Sequence, residues 1–299
     1  MGLKKNMSGK IRTEINKVNI VFLLFPFLVF SQSNRFIYEY TFKMDSLNKS
    51  KIDRELMFLD VNKDKSEFYS YKRFAHDSAW TASKNKLGGS NAIDFRNYNS
   101  KVDFSVAKDY KQNKITLYYS VGYDTYDIND FNSISWKIKP ETSTILDFKV
   151  QLAEASLGGR KWKAWFCPDI PVQDGPYRFN GLPGLILKVE DTNKDHSFIL
   201  VGTKLLTEDK IYAPFANKKT YTINYKSLKG AWKEYVKNPV KNMQLSSSSN
   251  GSSKVNISVT YTDDNGKTYS GSEFIREVSR STQERLKNIN NFIEPDLFR

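Results

Sequence analysis

From residue 34 onward, apolar side chains recur mostly at every second position. Phe36, Tyr38, Tyr40, Phe42 and Met44 alternate with Ile37, Glu39, Thr41 and Lys43. Ile115, Leu117, Tyr119, Val121 and Tyr123 alternate with Thr116, Tyr118, Ser120 and Gly122. The same rhythm sets Leu146, Phe148, Val150 and Leu152 against Asp147, Lys149 and Gln151. It returns in Tyr221, Ile223 and Tyr225, and in Val255, Ile257, Val259 and Tyr261. Successive strand side chains point to opposite faces, so each segment predicts a strand with one buried and one wetter face. Strands of a parallel sheet covered on both faces read instead as near-continuous apolar runs. Here strand follows strand through polar turns at 62–65, 111–113, 192–195 and 263–266. The expected fold is an all-β antiparallel meander. About ten twisted strands tend to curl or close, which predicts a half-barrel or a barrel.

Helical spacing is confined to two stretches. Leu228, Trp232 and Tyr235 or Val236 recur at three to four residues within 226–237, before Asn238-Pro239. Phe274, Ile275, Val278 and Leu286 form a broken stripe within 272–291. Residues 246–253, seven parts Ser and Gly to one Asn, predict a flexible loop. The alternation resumes at Val255, so residues 32–299 are expected to form a single domain.

The N-terminus has its own pattern. Lys4, Lys5, Lys10, Arg12 and Lys17 precede a 13-residue apolar run, Val18–Phe30, broken only by Asn19 and Pro26. A helix that crosses a bilayer needs roughly 20 apolar residues. A basic segment, a short apolar run and a small residue predict a secretory signal peptide over residues 1–31, cleaved after Ser31. The protein is therefore expected in the periplasm, at the outer membrane or secreted, with no transmembrane span.

Composition narrows the chemistry. One cysteine and two histidines among 299 residues exclude an internal disulfide framework and a Cys-based zinc site. Removing residues 1–31, with five positive charges and one negative, takes the net charge from +13 to +9. Along the chain the cations are scattered, as in Lys63/Lys65, Lys72-Arg73, Lys137/Lys139 and Lys218-Lys219. With no block, basic helix or known motif, a nucleic-acid partner is not expected, and a solvated basic surface drawn to anionic envelope glycolipid is.

The densest unusual stretch runs from Gly158 to Asp191. It reads as a strand at 161–166, a proline-held loop, a tight turn and another strand. Pro168, Pro171 and Pro176 fix φ and remove donors, so residues 167–177 cannot form a regular ladder. Pro183-Gly184 predicts a type II turn with Gly184 at positive φ.

On these residues the chain resembles a known family. Ala164-Trp165-Phe166 through Pro168, Ile170-Pro171, Asp174–Tyr177 and Gly181-Leu-Pro-Gly-Leu-Ile186 resemble the GLPGLI family of exported bacterial envelope proteins. Ser135–Ile138 with Ile145 is similar to its tryptophan strand, and 287–294 to its C-terminal ending. The match is dense over about 35 residues. Val150 stands where many members carry a Cys, which leaves Cys167 without that partner, and Phe292 replaces a C-terminal Pro. The resemblance implies an exported β-rich protein found beside outer-membrane receptor systems. It brings no established activity, catalytic residue or cofactor.

Other chemistry-bearing residues point weakly. Asp169 and Asp174 are five apart beside Arg160 and Arg178, a pair of carboxylates that would suit acid–base work, although turn Asp residues usually serve the local backbone. His76 and His196 sit in polar turn contexts, Cys167 reads as a small packed hydrophobe, and Asp124, Asp127 and Asp130 do not match an EF-hand loop. No catalytic or metal site is expected. The leading expectation is a non-catalytic binding or chaperone-like protein for an apolar ligand or lipoprotein, by analogy at fold level with periplasmic lipoprotein carriers and lipocalins. Trp165, Asp174, Tyr177, Phe179, Leu182 and Ile186 are the candidate ligand-binding residues, shaped by the turn at Gly181, Pro183 and Gly184. The alternative is an accessory or scaffold protein that docks onto an outer-membrane receptor, and the third reading is an unrecognised hydrolase.

Overall fold

The computed structural model describes residues 33–85, 98–207, 211–216, 218–241, 260–262 and 266–298. The expected signal peptide, the Ser-rich loop and most of the strand from Val255 lie outside the described residues.

The chain begins with β1 (Asn34–Phe42), β2 (Asp53–Val61), β3 (Lys65–Ser70) and α1 (Tyr71–Asn85). It continues through β4 (Phe104–Asp109), β5 (Lys114–Val121) and β6 (Asp124–Ile128). Next come β7 (Lys137–Ile145), β8 (Phe148–Leu157), β9 (Arg160–Cys167), β10 (Leu185–Asp191) and β11 (His196–Leu205). Last are β12 (Tyr221–Thr222), α2 (Leu228–Lys237), β13 (Thr260–Thr262), β14 (Thr268–Ser270) and α3 (Gly271–Lys287). Strands β1–β12 form one sheet in the order β12-β6-β5-β4-β3-β2-β1-β11-β10-β9-β8-β7. All pairings in it are antiparallel except β12 with β6. The sheet is open, with β12 and β7 as its edges; it does not close into a barrel.

The meander is thus two runs joined through β1, which pairs with β2 on one side and β11 on the other. That second pairing joins residues more than 150 apart in sequence and carries the inward aromatic row across the join. Tyr40 stacks on Phe198 with ring centroids 4.1 Å apart, and Phe68 meets Phe198 edge-on at 5.7 Å. Phe36, Tyr38, Tyr40 and Phe42 are all buried, as their alternation predicts. One continuous core runs from this row to Phe292, Ile293, Leu297 and Phe298 at the C-terminus.

Three local outcomes differ from the sequence reading. Leu146 and Asp147 take positive φ (49° and 65°) and form the two-residue turn between β7 and β8, so the strand begins at Phe148. Such hairpin turns usually carry Asn-Gly, and Leu-Asp hides the signal. Helix α1 was not expected, because few large side chains tie it to the sheet: Phe74 meets Phe58 and Tyr69, and Tyr71 meets Phe58. Its start is marked by Ser70, whose Oγ accepts the Arg73 amide at 3.3 Å. Third, β12 is only two residues long, so the alternation at 221–225 continues no ladder beyond Thr222. The expected helices at 226–237 and 272–291 correspond to α2 and α3.

Both sheet edges are blunted. Strand β7 is exposed on both faces, carries Lys137, Lys139 and Pro140, and its register breaks between Ile138 and Thr142. Lysine, proline and bulges on an edge oppose the addition of a further strand.

Candidate functional site

Residues 168–184, between β9 and β10, cross the inner face of the sheet. Prolines at 168, 171, 176 and 183 narrow the backbone, and internal hydrogen bonds complete its definition. Val172 N donates to Ile170 O (2.7 Å), Phe179 N to Pro176 O (3.1 Å), Gly181 N to Gln173 O (3.2 Å) and Ile186 N to Asp174 O (2.9 Å). At the expected type II turn the bond is shorter in sequence: Gly184 N donates to Leu182 O at 2.8 Å. Gly184 has φ +148°, and a Cβ there would lie 2.0 Å from the Cys167 carbonyl oxygen, so backbone approach as well as φ demands glycine.

Three buried polar anchors pin the loop and its surroundings. In the first, Asp174 accepts hydrogen bonds from Ser66 Oγ (2.5 Å), Tyr110 OH (2.5 Å) and the Gly175 amide (2.6 Å), and pairs with Lys108. Lys108 also donates to Gly175 O at 2.8 Å. Lys108 and Asp174 are both almost wholly buried, and burial pushes the lysine below its ordinary pKa while Asp174 pulls it back up. In the second, Arg178 Nε and Nη2 each donate at 2.8 Å to the two oxygens of Glu294, a bidentate pair. Tyr177 OH donates to the same carboxylate at 2.6 Å, and Phe131 stacks 3.6 Å from the guanidinium. Burial, then the neighbouring Glu294, holds the Tyr177 phenol well above its usual range.

The third anchor ties the C-terminal segment to β9. Arg160 pairs with Asp191 (3.0 Å) and donates to Asn291 Oδ1 (2.6 Å) and Phe292 O (3.0 and 2.8 Å). His196, expected in a polar turn, is buried here. Its Nε2 donates to Asn291 O at 3.0 Å, so Nδ1 accepts from Tyr40 OH at 2.7 Å. Burial, with Arg160 adding to it, lowers its pKa to about 3 and keeps the ring neutral.

The sequence candidates separate by direction. Tyr177, Phe179, Leu182 and Ile186 are buried in the core, where Phe179 packs on Trp162 and Tyr177 on Phe104. Asp174 is saturated by its four partners. Trp165 is half-buried on the other face of the sheet, opposite Lys188 and Leu152. Pro168, Asp169, Pro171, Gln173, Gly181 and Pro183 point to solvent. Asp169 is thus exposed while Asp174 is buried, which leaves them unlike partners for acid–base work. Asp127 accepts from Thr222 and Asp130 from the Tyr225 amide. Among the described residues, no group of three or more His, Cys, Asp or Glu could hold a metal ion. Clefts lie elsewhere: one of about 670 Å³ lined by Asn238, Val240, Ile275, Arg276 and Arg280, one of about 160 Å³ lined by Tyr123, Asp124, Tyr126, Glu234 and Tyr235, and one of about 50 Å³ beside Tyr40, Asp103 and Phe292.

Sequence reasoning missed Lys108, Ser66, Tyr110 and the pairing of Arg178 with Glu294. One signal was present: Lys108 occupies the inward parity of Phe104 and Val106, where a charge needs a buried partner. The register of β8 with β9, continued by one residue, also sets Val150 opposite Cys167, both fully buried.

A family model described as "Protein of unknown function (Porph_ging)" matches residues 159–188, which are β9, the loop and the start of β10. No curated protein matches the chain. Two crystal structures of PNGF-II, in space groups C2 and P21, resemble it with TM-scores of 0.46 and 0.47 at 17% and 16% identity. The likeness covers 68% of this chain and about a third (32% and 34%) of theirs. No helix among the described residues is long and apolar enough to cross a membrane.

Proposed function

We propose that this chain is a GLPGLI-type exported envelope protein, non-catalytic, that docks onto an outer-membrane receptor through the outward surface of residues 168–184. The observation that supports this most is the division within the loop: its aromatic residues, Asp174 and Arg178 are spent inward on fixed anchors, while Pro168, Asp169, Pro171, Gln173 and Pro183 form a proline-rigid outer surface. A surface already ordered before binding loses little conformational entropy on binding. The earlier reading of an enclosed apolar ligand has less support, because Tyr177, Phe179, Leu182 and Ile186 fill the volume such a ligand would take.

The test is a photo-cross-linking residue at position 173 in the protein expressed in its own envelope, with Asp169→Arg as the disrupting change. Cross-linking to one integral outer-membrane protein, lost in Asp169→Arg with unchanged melting temperature, is the expected result. Either no cross-link to a membrane protein or an equal yield from the variant overturns the proposal.

A further inference from the structure

Among the scattered cations, one stretch of the chain is rich in lysine. Residues 218–241 hold seven lysines (218, 219, 226, 229, 233, 237 and 241), one acid, Glu234, and no arginine. At 100° per residue, Lys229, Lys233 and Lys237 of α2 fall on one face. The opposite face is fixed by packing: Leu228 is buried, Trp232 meets Phe292 and Phe298 edge-on at 5.2 and 5.7 Å, and Tyr235 closes over Gly122. Lys241 pairs with Glu234, and Lys218 with Asp77. Among the described residues Lys226, Lys229, Lys233 and Lys237 have no ion pair. Glu234 and Asp124 line the cleft on its other flank. Exposed apolar and aromatic surface lies close by: Val236 on α2 at 37%, and Tyr123 beside the same cleft at 67%.

We infer that this lysine face is a docking surface for an anionic lipid bilayer. The choice of bilayer rests on residue chemistry. Lysine is a mobile point charge suited to a diffuse anionic plane, whereas arginine's planar fork suits bidentate recognition of individual phosphates and bases. Val236 beside the stripe, and a tyrosine nearby, match the amphipathic edge that helices lying on membranes present, and clusters of four to eight lysines characterise binding to anionic headgroups. The inference is independent of the loop surface, and Asp169→Arg should leave it untouched.

The experiment is co-sedimentation of the purified protein with phosphatidylglycerol-containing vesicles, compared with pure phosphatidylcholine vesicles and with a single-stranded oligonucleotide. Binding to the anionic vesicles alone, weakened by salt, is expected. Lys233→Gln should reduce it about fivefold and the triple change at Lys229, Lys233 and Lys237 to Gln about a hundredfold. Lys233→Arg, which keeps the charge, should bind as the wild type does, and circular dichroism of each variant confirms that it is folded. Equal binding to neutral vesicles, no vesicle binding, unchanged binding by the triple variant, or tighter binding to the oligonucleotide would each overturn the proposal.

Discussion

Beneath the motif loop the charged groups are buried and paired; along α2 Lys233 and Lys237 are exposed, Lys229 is half-buried, and none of the three has an ion pair among the described residues. Lys108–Asp174, Arg178–Glu294 and Arg160–Asp191 each join parts of the chain far apart in sequence, and each leaves water almost completely. Such pairs add little net stability over apolar substitutes, but removing one partner strands the other. Their contribution is to fix which arrangement of loop and sheet is allowed. The α2 lysines have the opposite properties: each costs little to keep in water, fixes nothing locally and stays available to an external anion. Charge defines shape in the first region and reach in the second.

The sharpest break of this contrast is at Asp174. Asp174→Ala should cost about 3–5 kcal/mol in denaturant unfolding by leaving Lys108 buried and alone. The double change Lys108→Met with Asp174→Leu should recover most of that loss; a double variant as unstable as the single one would show that the anchor acts through more than paired charge.

Acid and base probe the buried groups next. His196, held near 3 against an ordinary 6.5, contributes stability that is complete above pH 6.5 and lost as pH falls toward 3. Glu67 is buried on the other face of the sheet, with a pKa pushed up to about 8, chiefly by burial. Its protonated form contributes stability that is complete below about pH 4.5 and lost as pH rises through 8. Each limb should slope by about 1 kcal/mol per pH unit where it is steep. Melting temperatures of Glu67→Gln measured from about pH 5 to about pH 8.5 should lose the alkaline limb and keep the acid one.

A smaller gain is expected at the buried Val150–Cys167 position. Val150→Cys should form a disulfide with Cys167 under oxidising conditions and add about 1–2 kcal/mol over its reduced form. Free thiol remaining after oxidation would show that the two positions are not opposed. The smallest effect belongs to the exposed region: Lys233→Gln should change stability by less than about 0.5 kcal/mol, in contrast to Asp174→Ala.

How much of this was legible follows from range. Period-two segments such as Phe36–Phe42 gave strands because alternation is written locally, and Leu228, Trp232 and Tyr235 gave α2 for the same reason. Helix α1 escaped because its ring contacts with the sheet come from Tyr71 and Phe74 in its first turn, too little to make a stripe. The join of β1 to β11 is set by tertiary packing between residues more than 150 apart, which no local pattern encodes. At the loop, prolines and glycines announced rigidity, but not which side chains turn inward. That depended on partners as distant as Glu294, 116 residues from Arg178. The lysine stripe was written in the sequence at intervals of four and became visible once the helix gave it a face.

The central claim is that the motif loop is as fixed as the strands that flank it. Hydrogen exchange of its amides tests this most directly. The Val172, Phe179 and Gly181 amides, each bonded within the loop, should exchange as slowly as those of β9 and β10 and accelerate together in Asp174→Ala. Exchange of these amides at the rate of an unstructured chain in the wild-type protein would contradict the account.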